Sequence, residues 1–131
     1  MLAFAKVGLA GDSGASWILP RLVGHAKATE LLLLADPVNA AEAARLGLLT
    51  ELVDDDEQVL PRAQELAARL AAGPTVAYAQ IKRELLHSAA AALPDALRIE
   101  LEAQQIAAAT TDHREATQSF VRKERFVFKG F

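Results

Sequence analysis

The chain has 131 residues with a formal net charge of −3, 52% of them hydrophobic and 24% charged. That is the composition of one modest folded domain, not of a disordered chain, and the acidic balance argues against a nucleic-acid partner, which calls for a basic surplus. Cysteine is absent, which excludes disulfides, thiolate metal sites and cysteine nucleophiles together.

His25, His87 and His113 are far apart, and no HxxxH or HExxH spacing occurs, so no metal site is expected. Ala and Leu make up more than a third of the chain, a composition that favours helix. The opening Met1-Leu2-Ala3-Phe4-Ala5-Lys6 has neither the charged start nor the long apolar stretch of a secretory signal. The apolar run at 31–35 is far too short to span a bilayer. The expectation is a cytoplasmic protein with no membrane partner.

In chain order, residues 2–9 read as a short buried strand, followed by a turn at Gly11-Asp12-Ser13-Gly14. A strongly apolar helix over 13–23 carries Trp17, Ile18, Leu19 and Leu22, with a break or kink expected at Pro20. A helix over 26–35, apolar on nearly every side, is expected to be deeply buried, and Asp36-Pro37 ends it. Asn39 and Glu42 have capping spacing ahead of a short helix over 40–46 that Gly47 stops. Residues 48–53 are the best strand candidate. The acidic run Asp54-Asp55-Asp56-Glu57 suits the first turn of a helix, where the macrodipole favours negative charge.

The second half reads as helical throughout. An amphipathic helix over 58–72 ends at Gly73-Pro74, which opens the next, carrying Tyr78, Ile81, Leu85 and Leu86. Pro94-Asp95 opens a helix with a stripe of Leu97, Leu101 and Ile106. Asp112 and Glu115 have capping spacing before a last helix with Ala116, Phe120 and Val121. Residues 122–131 alternate basic and aromatic side chains. Apolar faces broader than one small domain can cover predict an oligomer.

Sequence motifs for seryl hydrolysis (GxSxG), nucleotide hydrolysis (GxxxxGK[ST]) and dinucleotide binding (GxGxxG) are missing. One constellation remains, Gly8-Leu9-Ala10-Gly11-Asp12-Ser13-Gly14-Ala15-Ser16-Trp17, a single carboxylate on a glycine-rich turn at a helix start. Asp12 reads either as the helix N-cap or as a general acid/base at the mouth of an apolar pocket. Trp17 reads as core or as a pocket wall.

The stretch 3–24 around this constellation resembles the enoyl-CoA hydratase/isomerase (crotonase) superfamily. Later pieces agree in order: Asn39-Ala40-Ala41-Glu42-Ala43 with Leu46-Gly47-Leu48-Leu49, Gly73-Pro74-Thr75 with Ile81-Lys82, and Phe120-Val121-Arg122-Lys123. The turn is most similar to the Pro-Asp-Ser-Gly branch of ring-epoxide and 3,2-enoyl-CoA isomerases of phenylacetate breakdown.

The resemblance implies that the chain is the C-terminal half of a crotonase-fold enzyme, mainly α with one or two short strands. Residues 1–55 would be the end of the crotonase core, and 56–131 a helical oligomerisation region of a homotrimer or hexamer. It implies that Asp12 is the catalytic acid/base, that Lys123 contacts the coenzyme A phosphates and that Phe120 flanks the adenine. Trp17 would line the acyl pocket. The position of the family's hydratase glutamate falls on apolar Phe4, which disfavours hydration because water addition needs a base.

The implied substrate is an acyl-CoA thioester, with no other cofactor. Departures are Gly11 in place of the branch's proline, Ala15 for a common glycine, and Glu124 and Phe126 in the tail. Three alternatives stay open: an enoyl-CoA hydratase, a catalytically inactive helical module, or a small acyl-CoA-binding protein.

Overall fold

The computed structural model describes residues 1–131. It contains a 3₁₀ turn over Ala5–Val7 and seven α-helices: α1 Ala15–Val23, α2 His25–Leu34, α3 Ala40–Arg45, α4 Asp56–Ala71, α5 Thr75–Ser88, α6 Leu93–Ala108 and α7 Thr111–Val121. The chain divides into two compact units, Met1–Asp56 and Glu57–Phe131.

Neither expected strand forms. Residues 5–7 wind into the 3₁₀ turn, closed by Gly8 in the left-handed region, and 48–53 run without regular structure. A strand gains its stability from a pairing neighbour, and 48–53 pair with none.

In the first unit, α1 and α2 pack against each other around Leu19, Ala28 and Leu31, with Leu2, Val23, Leu32, Val38 and Leu48 packed on that cluster. The deep burial expected of α2 is confined to one face: Ala28 and Leu31 are buried, whereas Leu33 and Leu34 are exposed. Pro20 does not break α1. It stands at the helix's sixth position, so only one hydrogen bond is forfeited, and the Arg21 guanidinium donates to the Trp17 carbonyl at 2.6 Å beside the weakened turn. The Asn39 cap is realised, its side-chain oxygen accepting from the Glu42 N–H at 2.8 Å.

Leading into the second unit, Asp56 opens α4, as the acidic run suggested. Helices α5 and α6 pack side by side, and α7 packs on α6. Arg83 of α5 meets Glu102 of α6 at 2.7 Å, and Arg98 meets the same carboxylate at 2.7 Å. The buried face of α6 is Ile99 and Ala103, so the stripe of Leu97, Leu101 and Ile106 faces outward. Alternation on a helix fixes which residues share a face but not which of two apolar faces meets its neighbour. The cap of α7 is Thr110, whose side chain accepts from the His113 N–H, and not Asp112.

Candidate functional site

The four residues Asp12-Ser13-Gly14-Ala15 set the geometry at Asp12. Ser13 (φ +53) and Gly14 (φ +78) are both left-handed, and the Ala15 N–H donates to the Asp12 carbonyl at 2.9 Å. This is a type I′ turn. Glycine enters that region freely, while Ser13 carries a cost of ~1 kcal/mol. The Gly14 carbonyl accepts from the Trp17 and Ile18 amides at 3.0 and 2.9 Å, so α1 starts directly from the turn.

That arrangement excludes the N-cap reading of Asp12. Gly14 is the N-cap and no side chain caps α1. The Asp12 carboxylate is therefore not consumed by helix amides; its Oδ1 accepts from the Ser13 hydroxyl at 2.7 Å. It also stands exposed rather than within an apolar pocket; the apolar side chains near the turn, Leu32 beside Gly11 and Ile18 beside Gly14, do not enclose it.

Trp17 is 39% exposed and not part of the core, and the Arg21 guanidinium sits 3.7 Å above its ring, a cation–π contact. Leu19 fills the core instead, two residues on and so nearly opposite on the helix. Phe4 is half-buried at the head of the 3₁₀ turn.

The remaining predicted residues lie in the second unit and are brought together by the end of α7. The Lys123 N–H donates to the Phe120 carbonyl at 3.1 Å and the Glu124 N–H to the Ser119 carbonyl at 2.9 Å. These two bonds form a Schellman stop, whose penultimate position is left-handed and usually glycine. Here it is Lys123, at φ +58. Phe120 is 84% exposed and takes no part in the core. Arg122 takes the charge of Glu124 at 2.8 Å, and Lys123 forms no ion pair.

Asp112 is the residue that sequence reasoning misjudged. It is 5% exposed. Its carboxylate accepts from the backbone N–H of Lys129 (2.9 and 3.1 Å) and of Gly130 (2.7 Å), while its own N–H donates to the Phe131 carbonyl at 3.0 Å. Burial pushes its carboxyl up, but the N–H groups of Lys129, Gly130 and Phe131 and the Lys129 charge together leave it below the ordinary range. Lys129 also pairs with Glu115 at 2.8 Å.

Beside this clasp lies a cavity of about 270 Å³ whose walls include Val76, Ala77, Ala107, His113, Ala116 and Phe128; none of the predicted site residues lines it. No three His, Asp or Glu side chains gather in a metal-like cluster, and no helix is long and apolar enough to cross a membrane.

Residues 1–130 match the enoyl-CoA hydratase/isomerase family model. Over 130 residues the chain is 35% identical to the 1,2-epoxyphenylacetyl-CoA isomerase of Escherichia coli K12, covering 99% of this chain and 49% of that protein. It is 40% identical to a probable enoyl-CoA hydratase of Rhodobacter capsulatus, covering 99% and 50%.

Among solved structures, an enoyl-CoA hydratase/isomerase from Mycobacterium abscessus superposes with a TM-score of 0.90 at 42% identity, over 98% of this chain and 49% of that one. An enoyl-CoA hydratase from Streptomyces coelicolor A3(2) gives 0.92 at 37%, over 99% and 47%. The chain thus spans about half the length of the curated relatives it matches. With its helices, turns and sequence matched along nearly all its residues, the chain belongs to the enoyl-CoA hydratase/isomerase family and has the helical portion of the crotonase fold.

Proposed function

We propose that the chain is the C-terminal half of an acyl-CoA isomerase in which Asp12 moves a proton on the acyl group. The observation that carries this reading is the Ser13-Gly14 turn. It hands the capping position to Gly14 and leaves the Asp12 carboxylate with a single hydroxyl partner at the head of α1. A carboxylate so held can take a proton from one carbon of a thioester-activated chain and return it to another, ending as it began. The charge that develops on the thioester oxygen needs two backbone N–H donors, which lie outside these residues; losing one such donor costs ~10²–10³ in rate.

Support comes from Phe4, which puts no second carboxylate where a hydratase would need one, and from two isomerases among the relatives. These are the E. coli protein and, at 31% identity, the trans-2-decenoyl-[acyl-carrier-protein] isomerase of Streptococcus mutans. In this reading Lys123 meets the coenzyme A phosphates, Phe120 flanks the adenine and Trp17 borders the acyl group.

The helices present unpartnered apolar side chains, among them Leu60, Leu85, Leu86, Leu97 and Leu101, which supports assembly with further copies, in this reading as a homotrimer or hexamer. Hydration is the second reading, favoured by the hydratase of R. capsulatus.

The test is an assay of the full enzyme carrying this half, with enoyl- and epoxy-acyl-CoA substrates. Asp12→Asn should lower kcat for isomerisation by about 10²–10⁴ without changing thermal stability. Water addition that survives this substitution would favour hydration and refute the isomerase role.

A further inference from the structure

Residues 122–131 leave the C-terminal end of α7 and return to its N-terminal end. At the near end they begin with the Schellman stop at Lys123; at the far end Asp112 fastens residues 129, 130 and 131. Between these points, Phe126 and Phe128 pack edge to face at 5.0 Å. The eleven residues of α7 measure about 16 Å. The six steps from 123 to 129 supply at most about 20 Å of extended chain. The segment is therefore a nearly taut strap, and loosening one end loosens the other.

Lys123 is where that matters. A lysine in the left-handed region is held there by its surroundings. A slack strap would let its backbone relax to the ordinary region and turn its ammonium elsewhere. Asp112 itself is not explained by capping, which Thr110 performs. It is a buried carboxylate with both oxygens committed to the strap. We infer that Asp112 is a positioning residue for Lys123: by fastening the far end of the strap it holds the lysine ammonium in the direction that meets the phosphates of coenzyme A. This rests on the role of Lys123 in the proposed function.

The experiment is calorimetric titration of the purified protein with coenzyme A at low and moderate salt. The variants are Lys123→Ala, Asp112→Ala, their double mutant and a deletion of residues 129–131, which unfastens the strap while leaving α7 intact. Lys123→Ala should raise Kd roughly tenfold, the scale of one charge-assisted phosphate contact, and flatten the salt dependence.

Asp112→Ala and the deletion should each raise Kd to a similar extent with the same flattening, and the double mutant should be no weaker than Lys123→Ala alone. A wild-type Kd in the deletion variant overturns the inference, as does a double mutant whose effect multiplies the two singles. If Asp112→Ala does not fold, the deletion decides. Should Lys123→Ala itself leave Kd unchanged, the inference falls together with the assigned role of Lys123. A loss in Lys123→Ala alone, with Asp112→Ala and the deletion silent, overturns only the inference.

Discussion

Lys123→Gly should make the protein more stable while weakening its hold on coenzyme A. Lys123 closes α7 at φ +58, in a conformation that costs an L-residue roughly 1–2 kcal/mol. Glycine removes that cost but returns about 0.5–1 kcal/mol through its greater freedom in the unfolded chain. The side chain is exposed and unpaired, so no burial or ion pair is lost. The net gain is about 0.5–1 kcal/mol, or roughly 2–8 °C in Tm for a unit of this size. Urea unfolding followed by circular dichroism should show a higher midpoint with an unchanged slope, and Lys123→Ala, which keeps the left-handed alanine, should show no such rise. A glycine variant no more stable than the alanine variant would refute the strain argument.

Three further outcomes are expected. A Cβ added at Gly73 would overlap the Tyr78 ring, so Gly73→Ala should cost about 1–3 kcal/mol, seen as a lower Tm. Asn39→Ala removes the side-chain acceptor for the Glu42 N–H and should cost ~1 kcal/mol, with amide exchange accelerated within α3. The Asp112 carboxyl lies below its ordinary value, so the stability it contributes is complete above the unfolded pKa of about 3.9 and is lost as pH falls through the lower folded value. Amide protection at Lys129 and Gly130 should accordingly persist at pH 4 and vanish only in stronger acid; loss already at pH 5 would contradict the geometry.

The helices were legible because their signals are local. Asn39 with Glu42, Gly47, the acidic run at 54–57 and Gly73-Pro74 each mark an end by chemistry that acts within one turn. The expected strands failed for the opposite reason: a strand depends on a partner remote in sequence. Helix faces were legible as stripes but not as interiors, which is why Leu97 and Leu101 face outward while Ile99 is buried. At the candidate site, Asp12 was found from its turn, yet its freedom from capping depends on a pair of left-handed residues that Ser13 does not advertise. The partners of Asp112 lie seventeen and eighteen residues further along the chain, beyond any local pattern; Gly130 in the tail was the sole hint of a turn there.

Ala35 carries a consequence for what the chain can tolerate by mutation. It is fully buried yet left-handed, at φ +53, where α2 ends. Glycine would relieve the backbone but empty the space its methyl fills; valine, isoleucine or threonine would be excluded from that backbone region by their branched Cβ; anything longer would meet a close-packed surround. Saturation mutagenesis at this position should return alanine, glycine and little else. That would make a residue with no polar group and no part in chemistry one of the least replaceable in the first unit.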